Sequence, residues 1–161
     1  MNPVLKVSVI IEHGGKLLLI KEKFTTGTKP GWNLCGGGWE EKDADITATA
    51  VREAREESGL DVTVEGLYRV ALVKLTKDHS LRFFFVCRAE NDNVKLLPKE
   101  EQEKLNEDII GYQWFSPKEV ASLPDNEFVS TTIARIVKEY AHAPQHSPAD
   151  QVVYFESETK F

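Results

Sequence analysis

REAREESGL, Arg52 to Leu60, is the stretch on which the reading of this chain turns. Five of its first six residues are charged, and the run ends at a glycine. Glu53, Glu56 and Glu57 stand at i, i+3 and i+4, so on a helix their carboxylates lie on neighbouring positions of one face. Like charges at that spacing repel, and the cluster needs cations or water to be tolerable. The plain explanation is a solvated helix face with Arg52 and Arg55 as partners. The chemical one is a divalent ion. Outward from this stretch, the helix is predicted over residues 45–58, with Asp45 as N-cap and Gly59 as the residue that ends it. Before it, LCGGGWEEKDAD reads as a glycine-rich turn leading into acid. Such turns let backbone approach an anion, and the helix that follows favours phosphate at its N-terminus. On that reading Gly37 and Gly38 would hold a phosphorylated ligand. Neither the P-loop pattern GxxxxGK[ST] nor the dinucleotide pattern GxGxxG is present, so the glycines alone are equally a flexible turn.

Further out, VLKVSVIIEHGGKLLLIKEK predicts two strands joined at His13-Gly14-Gly15. FTTGTKPGWN is expected to be a polar loop. LDVTVEGLYRVALVKL and SLRFFFVCRAE are expected strands turning at Lys77-Asp78-His79. NDNVKLLPKEEQEKLNED is a charged loop with room for a helical turn, and IIGYQWFS a strand. SPKEVASL starts a helix with Ser116 as N-cap and Pro117 at N1. NEFVSTTIARIVKEYA predicts a second amphipathic helix, with Phe128, Ile133, Ile136, Val137 and Tyr140 on one side. Helices between and after strands indicate a mixed sheet covered by helices.

Gly38 precedes Arg52 by fourteen residues, and Glu53-Ala54-Arg55-Glu56-Glu57-Ser58-Gly59-Leu60 follow. This resembles the Nudix box, G-x5-E-x7-R-E-U-x-E-E-x-G-U with U a bulky aliphatic, at Gly38, Arg52, Glu53, Glu56, Glu57, Gly59 and Leu60. A chance match of that many positions in one register is on the order of 10⁻⁷ from average residue usage. WNL before the box and WFSPKEV near the end also fit, so the resemblance spans residues 4–141. It implies an α/β (α+β) fold, a Nudix-type α/β/α sandwich with a mixed β-sheet, in one domain over 1–141. The remaining 142–161 would be a C-terminal tail, whose VVYF would add an edge strand or dock on a partner. Two positions depart. Ala54 replaces a larger aliphatic. Ala44 replaces the first box glutamate, with Asp43 and Asp45 in reach of the metal if the loop is shifted by a residue, and with Glu40 and Glu41 nearby.

The resemblance implies a Mg²⁺- or Mn²⁺-dependent pyrophosphohydrolase acting on a nucleoside diphosphate linked to another moiety. Glu53, Glu56 and Glu57 would be metal ligands, since these hard cations prefer carboxylate oxygens, waters and substrate phosphates. Arg52, i,i+4 to Glu56, would hold that glutamate in its rotamer. The general base is Glu53 or an acid on the later loop, where PKEEQEK offers Glu100, Glu101 and Glu103; Glu101 is taken as its representative. The alternative is a Nudix-fold nucleotide-binding or sensing domain with weak or no hydrolysis, motivated by Ala44. The proline or tyrosine that marks some substrate subfamilies is missing at Leu75-Thr76-Lys77, as is the SQPWPFPxS feature of NADH-cleaving members. Phe24, Trp32, Phe83 and Phe85 are either core or base-stacking, and Lys21, Lys23 and Arg82 are either surface charges or phosphate contacts.

Composition sets the outer bounds. The 161 residues make about one domain. A net charge of −6 argues against a duplex nucleic-acid binder. Cys35 and Cys87 follow no CxxC pattern and read as buried, reduced thiols. No run approaches a membrane span, and the N-terminus does not read as a signal peptide, so a cytoplasmic protein acting on small molecules is expected, with a homodimer left open.

Overall fold

The computed structural model describes residues 4–23, 29–74 and 79–148. The expected features at Phe24, Leu75–Asp78 and VVYF lie outside the described residues. The first hairpin, β1 (Val4–His13) and β2 (Lys16–Glu22), turns at Gly14 and Gly15, both at positive φ, as the sequence predicts. The two strands pair only near the turn, at Glu12↔Leu17 and His13↔Lys16, and then splay. Into that splay run β3 (Gly31–Asn33), bonded to β2, and β4 (Cys35–Gly38), bonded to β1 over Lys6–Val9. The glycine-rich segment is therefore a strand and not a turn. The reason is close approach: a Cβ on Gly36 would stand 2.2 Å from the Val7 carbonyl oxygen, which no other residue allows.

β5 (Val62–Lys74) and β6 (His79–Ala89) form a long antiparallel pair, and β6 runs parallel to β1. β7 (Ile109–Phe115) covers the other edge of β2. Ser147–Pro148, β8, pair with Gly66–Leu67 of β5. The result is one mixed eight-stranded sheet among the described residues.

Each face of the sheet carries a core. Val7, Val9, Ile11, Phe85 and Cys87 pack against Ala50 and Ala54 of α1 (Ile46–Ser58). Ile10, Leu17, Leu19, Phe84 and Val86 pack against α3 (Pro117–Ser122) and α4 (Thr131–His142) through Val120, Ile133, Ile136, Val137 and Tyr140. This is the expected helix–sheet–helix arrangement. Ala54 is fully buried, so its small side chain brings α1 close to the sheet. The last helix starts later than its apolar pattern suggests. Ser130 caps it by accepting from the Ile133 N–H, and Phe128 is buried from the segment before it. Phe128 follows a 3₁₀ turn at Asp125–Glu127 and keeps its place in the core without joining the helix. The sequence run PKEEQEK forms a short helix, α2 (Lys99–Lys104). Both cysteines are buried and unpaired. No described helix is long and apolar enough to cross a membrane.

Candidate functional site

α1 begins and ends where capping chemistry dictates. Asp45 Oδ1 accepts from the Thr47 and Ala48 N–H groups, both at 2.8 Å, and Gly59 takes the left-handed conformation at φ 70°. A Cβ on Gly59 would also meet the Lys95 carbonyl oxygen at 2.7 Å. Asp45 Oδ1 is thereby committed to the cap of α1.

The helix lays its acidic face along β4. Glu57 is buried, and its Oε2 accepts the Gly36 N–H at 2.7 Å. Glu53 is buried against Gly37, where a Cβ would stand 2.4 Å from its Oε1. Gly37 leaves room for Glu53, and the Gly38 carbonyl accepts from Arg52. Both are strand residues and not the turn the sequence suggested, and the N-terminus of α1 is capped by Asp45.

Arg52 is the hub. Its Nη1 donates to Glu53 at 2.7 Å and to Glu56 at 3.0 Å, its Nη2 to the Gly38 carbonyl at 2.8 Å, and its Nε and Nη2 to Asp43 at 2.9 and 3.0 Å. The Arg52–Glu56 pair is the one expected from i,i+4 spacing; the bonds to Glu53, Asp43 and Gly38 add to it. Asp43 is also buried and accepts from Thr49 Oγ1 at 3.0 Å. The Arg52 guanidinium holds the Asp43 carboxyl down at about 2. Asp43 therefore anchors the box arginine from one residue before Ala44, which is exposed. Counted from Gly37, Asp43 is the sixth residue on, and one extra residue precedes Arg52. Ala44→Glu is accordingly expected to leave turnover within about twofold, because the anchoring position is filled and an exposed surface change is typically small. Steady-state kinetics of the variant check this.

Two acids that sequence reasoning missed complete the cluster. Glu22, at the end of β2, and Glu107, just before β7, both act on Glu57 through their charge. Glu107 is placed by a clamp. The Gln102 side chain bonds both the N–H (2.7 Å) and the carbonyl (3.3 Å) of Ile109, and the Gln102 carbonyl takes the Glu107 N–H at 2.9 Å. Turning Gln102 inward leaves Glu101 exposed on α2, and no described bond brings it to the α1 carboxylates. Of the late acids, it is Glu107 whose charge acts on Glu57, while Glu101 is exposed. Only a charge-rich loop followed by an apolar strand signalled Glu107.

Burial raises Glu53 to about 7, against the pull of Arg52, and pushes Glu57 well above the usual carboxylate range; Glu107 is raised too. The cluster is short of positive charge. Its donor set is all oxygen, which fits a hard divalent cation. Among the described residues no three of these groups already converge as ready-made ligands. Arg52 Nη1 lies between Glu53 and Glu56 and holds that pair to itself. Of the aromatics, Phe85 is core, while Trp32 packs edge-on to Phe115 at 5.0 Å with Lys21 over its ring. Lys21 pairs with Glu127, and Lys23 is exposed.

A family model described as the NUDIX domain matches residues 3–136. Among solved structures, a NUDIX hydrolase from Nitrosomonas europaea superposes with a TM-score of 0.75 at 24% identity, covering 96% of this chain and 98% of that one. A UDP-X diphosphatase gives 0.63 at 19% identity over 91% of this chain and 66% of that one. An ADP-ribose pyrophosphatase from Streptococcus suis gives 0.56 at 21% identity over 91% and 97%. Comparison with curated proteins finds no match.

Proposed function

Because the chain belongs to the Nudix family, and with it to the hydrolases of phosphoanhydride bonds, we propose that it is a Mg²⁺- or Mn²⁺-dependent pyrophosphohydrolase for a small nucleoside diphosphate derivative, working in the cytoplasm. The observation that carries this reading is Glu57. It is a buried carboxylate fixed by the Gly36 N–H, facing Glu53 and Glu107, with no cation partner among the described residues. A divalent ion held by Glu53, Glu56 and Glu57, with Glu22 and Glu107 beside them, would neutralise the diphosphate and lower the pKa of a bound water. Arg52 then keeps Glu53 and Glu56 in their rotamers while Asp43 keeps Arg52 in place. Glu107, or Glu53, takes the proton of the attacking water; both are raised toward neutrality, where a general base is useful. Glu107→Gln is expected to lose about tenfold or more in kcat, and Glu101→Gln to stay at the wild-type value.

The sensing-domain alternative rested on Ala44, and it loses its motive once Asp43 carries the anchoring role. The experiment for the proposal is a hydrolysis screen with Mg²⁺ over nucleoside triphosphates, nucleotide sugars, ADP-ribose, NADH, dinucleoside polyphosphates and CoA. Turnover of none of them would overturn it.

The ion should also stabilise the fold, by mass action. Carboxylates raised in the folded state make it bind more protons than the unfolded chain, so their contribution is largest below about pH 4.5 and is lost as pH rises through about 7. Protons and ions compete for the same oxygens. Millimolar Mg²⁺ is therefore expected to raise the melting temperature more at pH 8 than at pH 5, as scanning calorimetry would register. An equal shift at both values, or none, would separate the acids from ion binding.

A further inference from the structure

A cavity of about 470 Å³ opens at the end of the sheet where β1 turns into β2. That is within the roughly 300–1,000 Å³ of small-molecule sites. Its apolar walls are Leu17, Pro117, Ala141 and the buried Tyr140, and its polar groups are Glu12, Glu65 and Arg88 beside the Gly14-Gly15 turn. The cavity is separate from the acidic cluster of α1. Glu12 follows Ser8, the partner of Gly36, by four positions, about 13 Å along the strand. Glu12 also shares its face with Ile10 and bonds Tyr140 of α4, so it lies on the side of the sheet opposite α1.

The charges in this cavity do not balance. Arg88 stands beside Glu12 in the β1–β6 register, but its Nε is paired with Glu65 at 3.3 Å. Glu12 Oε1 accepts from the Tyr140 hydroxyl at 2.9 Å, and among the described residues Glu12 makes no ion pair. Burial, and then Glu12 itself, raise the Tyr140 hydroxyl above the usual phenol range, so it stays a donor. A hydroxyl satisfies one oxygen without cancelling the charge. His13 at the rim spends Nδ1 on the Ala89 carbonyl at 3.0 Å and lays its ring by Trp114. Two carboxylates and one guanidinium leave one negative charge in excess. A bare divalent ion wants six or more oxygens, which apolar walls do not supply. An anion would meet Glu12 unscreened. A primary ammonium is a compact charge with three donors, and on an apolar body it matches both the carboxylate and the walls.

We propose that this cavity is a second ligand site, for a small organic cation whose primary ammonium group sits on Glu12 and whose hydrocarbon or aryl body lies against Leu17, Pro117, Ala141 and Tyr140. The site is independent of the pyrophosphohydrolase reading, and its test needs neither nucleotide nor metal. Benzylammonium and n-butylammonium are titrated at pH 7 into ¹⁵N-labelled wild type, Glu12→Gln, Arg88→Met and Glu57→Gln, with benzyl alcohol and benzoate as the neutral and anionic counterparts. Amide shifts locate the site and give the affinity.

The expected result is that at least one ammonium ion binds the wild type with a Kd on the order of millimolar or tighter. The largest shifts should fall at Gly14, Gly15 and Ala141. Benzyl alcohol and benzoate should each bind about tenfold or more weakly, and Glu12→Gln should lose about tenfold in ammonium affinity, the size of one charge-assisted contact. Arg88→Met should bind the ammonium as tightly as the wild type or more tightly, because a competing cation is gone. Glu57→Gln should match the wild type within about twofold. The proposal is overturned if neither ammonium ion binds, if benzoate binds more tightly than benzylammonium, or if the shifts are confined to α1. Unchanged ammonium affinity in Glu12→Gln overturns it as well, as does weaker binding in Arg88→Met. Should Glu12→Gln fail to fold, the wild-type shift map and Arg88→Met still decide the matter.

Discussion

Glu57→Gln is expected to lose two to three decades of ion-dependent turnover while the ion-free protein keeps its melting temperature. Glutamine is nearly isosteric, and its side-chain carbonyl can still accept the Gly36 N–H that Glu57 now accepts at 2.7 Å. No cavity opens and no buried donor is stranded. Burial, with the charges of Glu107 and Glu53, pushes Glu57 well above the usual carboxylate range. The substitution therefore keeps the shape and the backbone bond and removes the carboxylate that a cation would need. Kinetics and calorimetry on the same preparation check both halves, and a melting temperature that falls together with the rate would make Glu57 a structural residue.

Arg52→Ala is expected to be the most damaging single change, costing about 3–5 kcal/mol of stability and nearly all turnover. Arg52 bonds Asp43, Glu53, Glu56 and the Gly38 carbonyl at once. Its loss leaves Asp43 buried beside Thr49 without a cation and frees Glu53 and Glu56 to repel each other. Asp43 gives the loss a pH signature. Its folded pKa of about 2 lies below the unfolded 3.8, so its contribution is present above about pH 4 and disappears as pH falls through 2. Wild type and Arg52→Ala should therefore differ most above pH 4 and converge in acid. Urea unfolding across pH 2–7 measures this. Arg52→Lys should recover only a fraction, since an ammonium cannot reach three acids and a carbonyl at once as the guanidinium does.

The helix that carries the acidic cluster was legible because local signals agree there: Asp45 caps it, Gly59 ends it, and the acids repeat at helical spacing. The β1–β2 hairpin and the Ser116 N-cap were legible for the same reason. β3 and β4 were not. Glycine has low strand propensity, and only the tertiary approach of Val7 and Glu53 explains why Gly36 and Gly37 lie in a strand. The role of Asp43 was hidden by a single extra residue in the loop, which a spacing pattern counts as a mismatch and a guanidinium does not. Glu22 sits on a strand with no local mark of function, and Glu107 depends on the Gln102 clamp, a contact that exists only after β7 has docked. Phe128 carried the period of a helix it does not join, because its burial comes from packing beside Trp32.

The proposed function requires that the carboxylate cluster of Glu53, Glu56 and Glu57 take a divalent ion. The most direct measurement is Mn²⁺ binding followed by electron paramagnetic resonance, with wild type and Glu57→Gln titrated side by side at pH 8. The account predicts at least one bound ion in the wild type at submillimolar to millimolar concentration, displaced by Mg²⁺, and an affinity about tenfold or more weaker in Glu57→Gln. A wild type that leaves the Mn²⁺ signal free, or a Glu57→Gln protein that binds as tightly as the wild type, would contradict it.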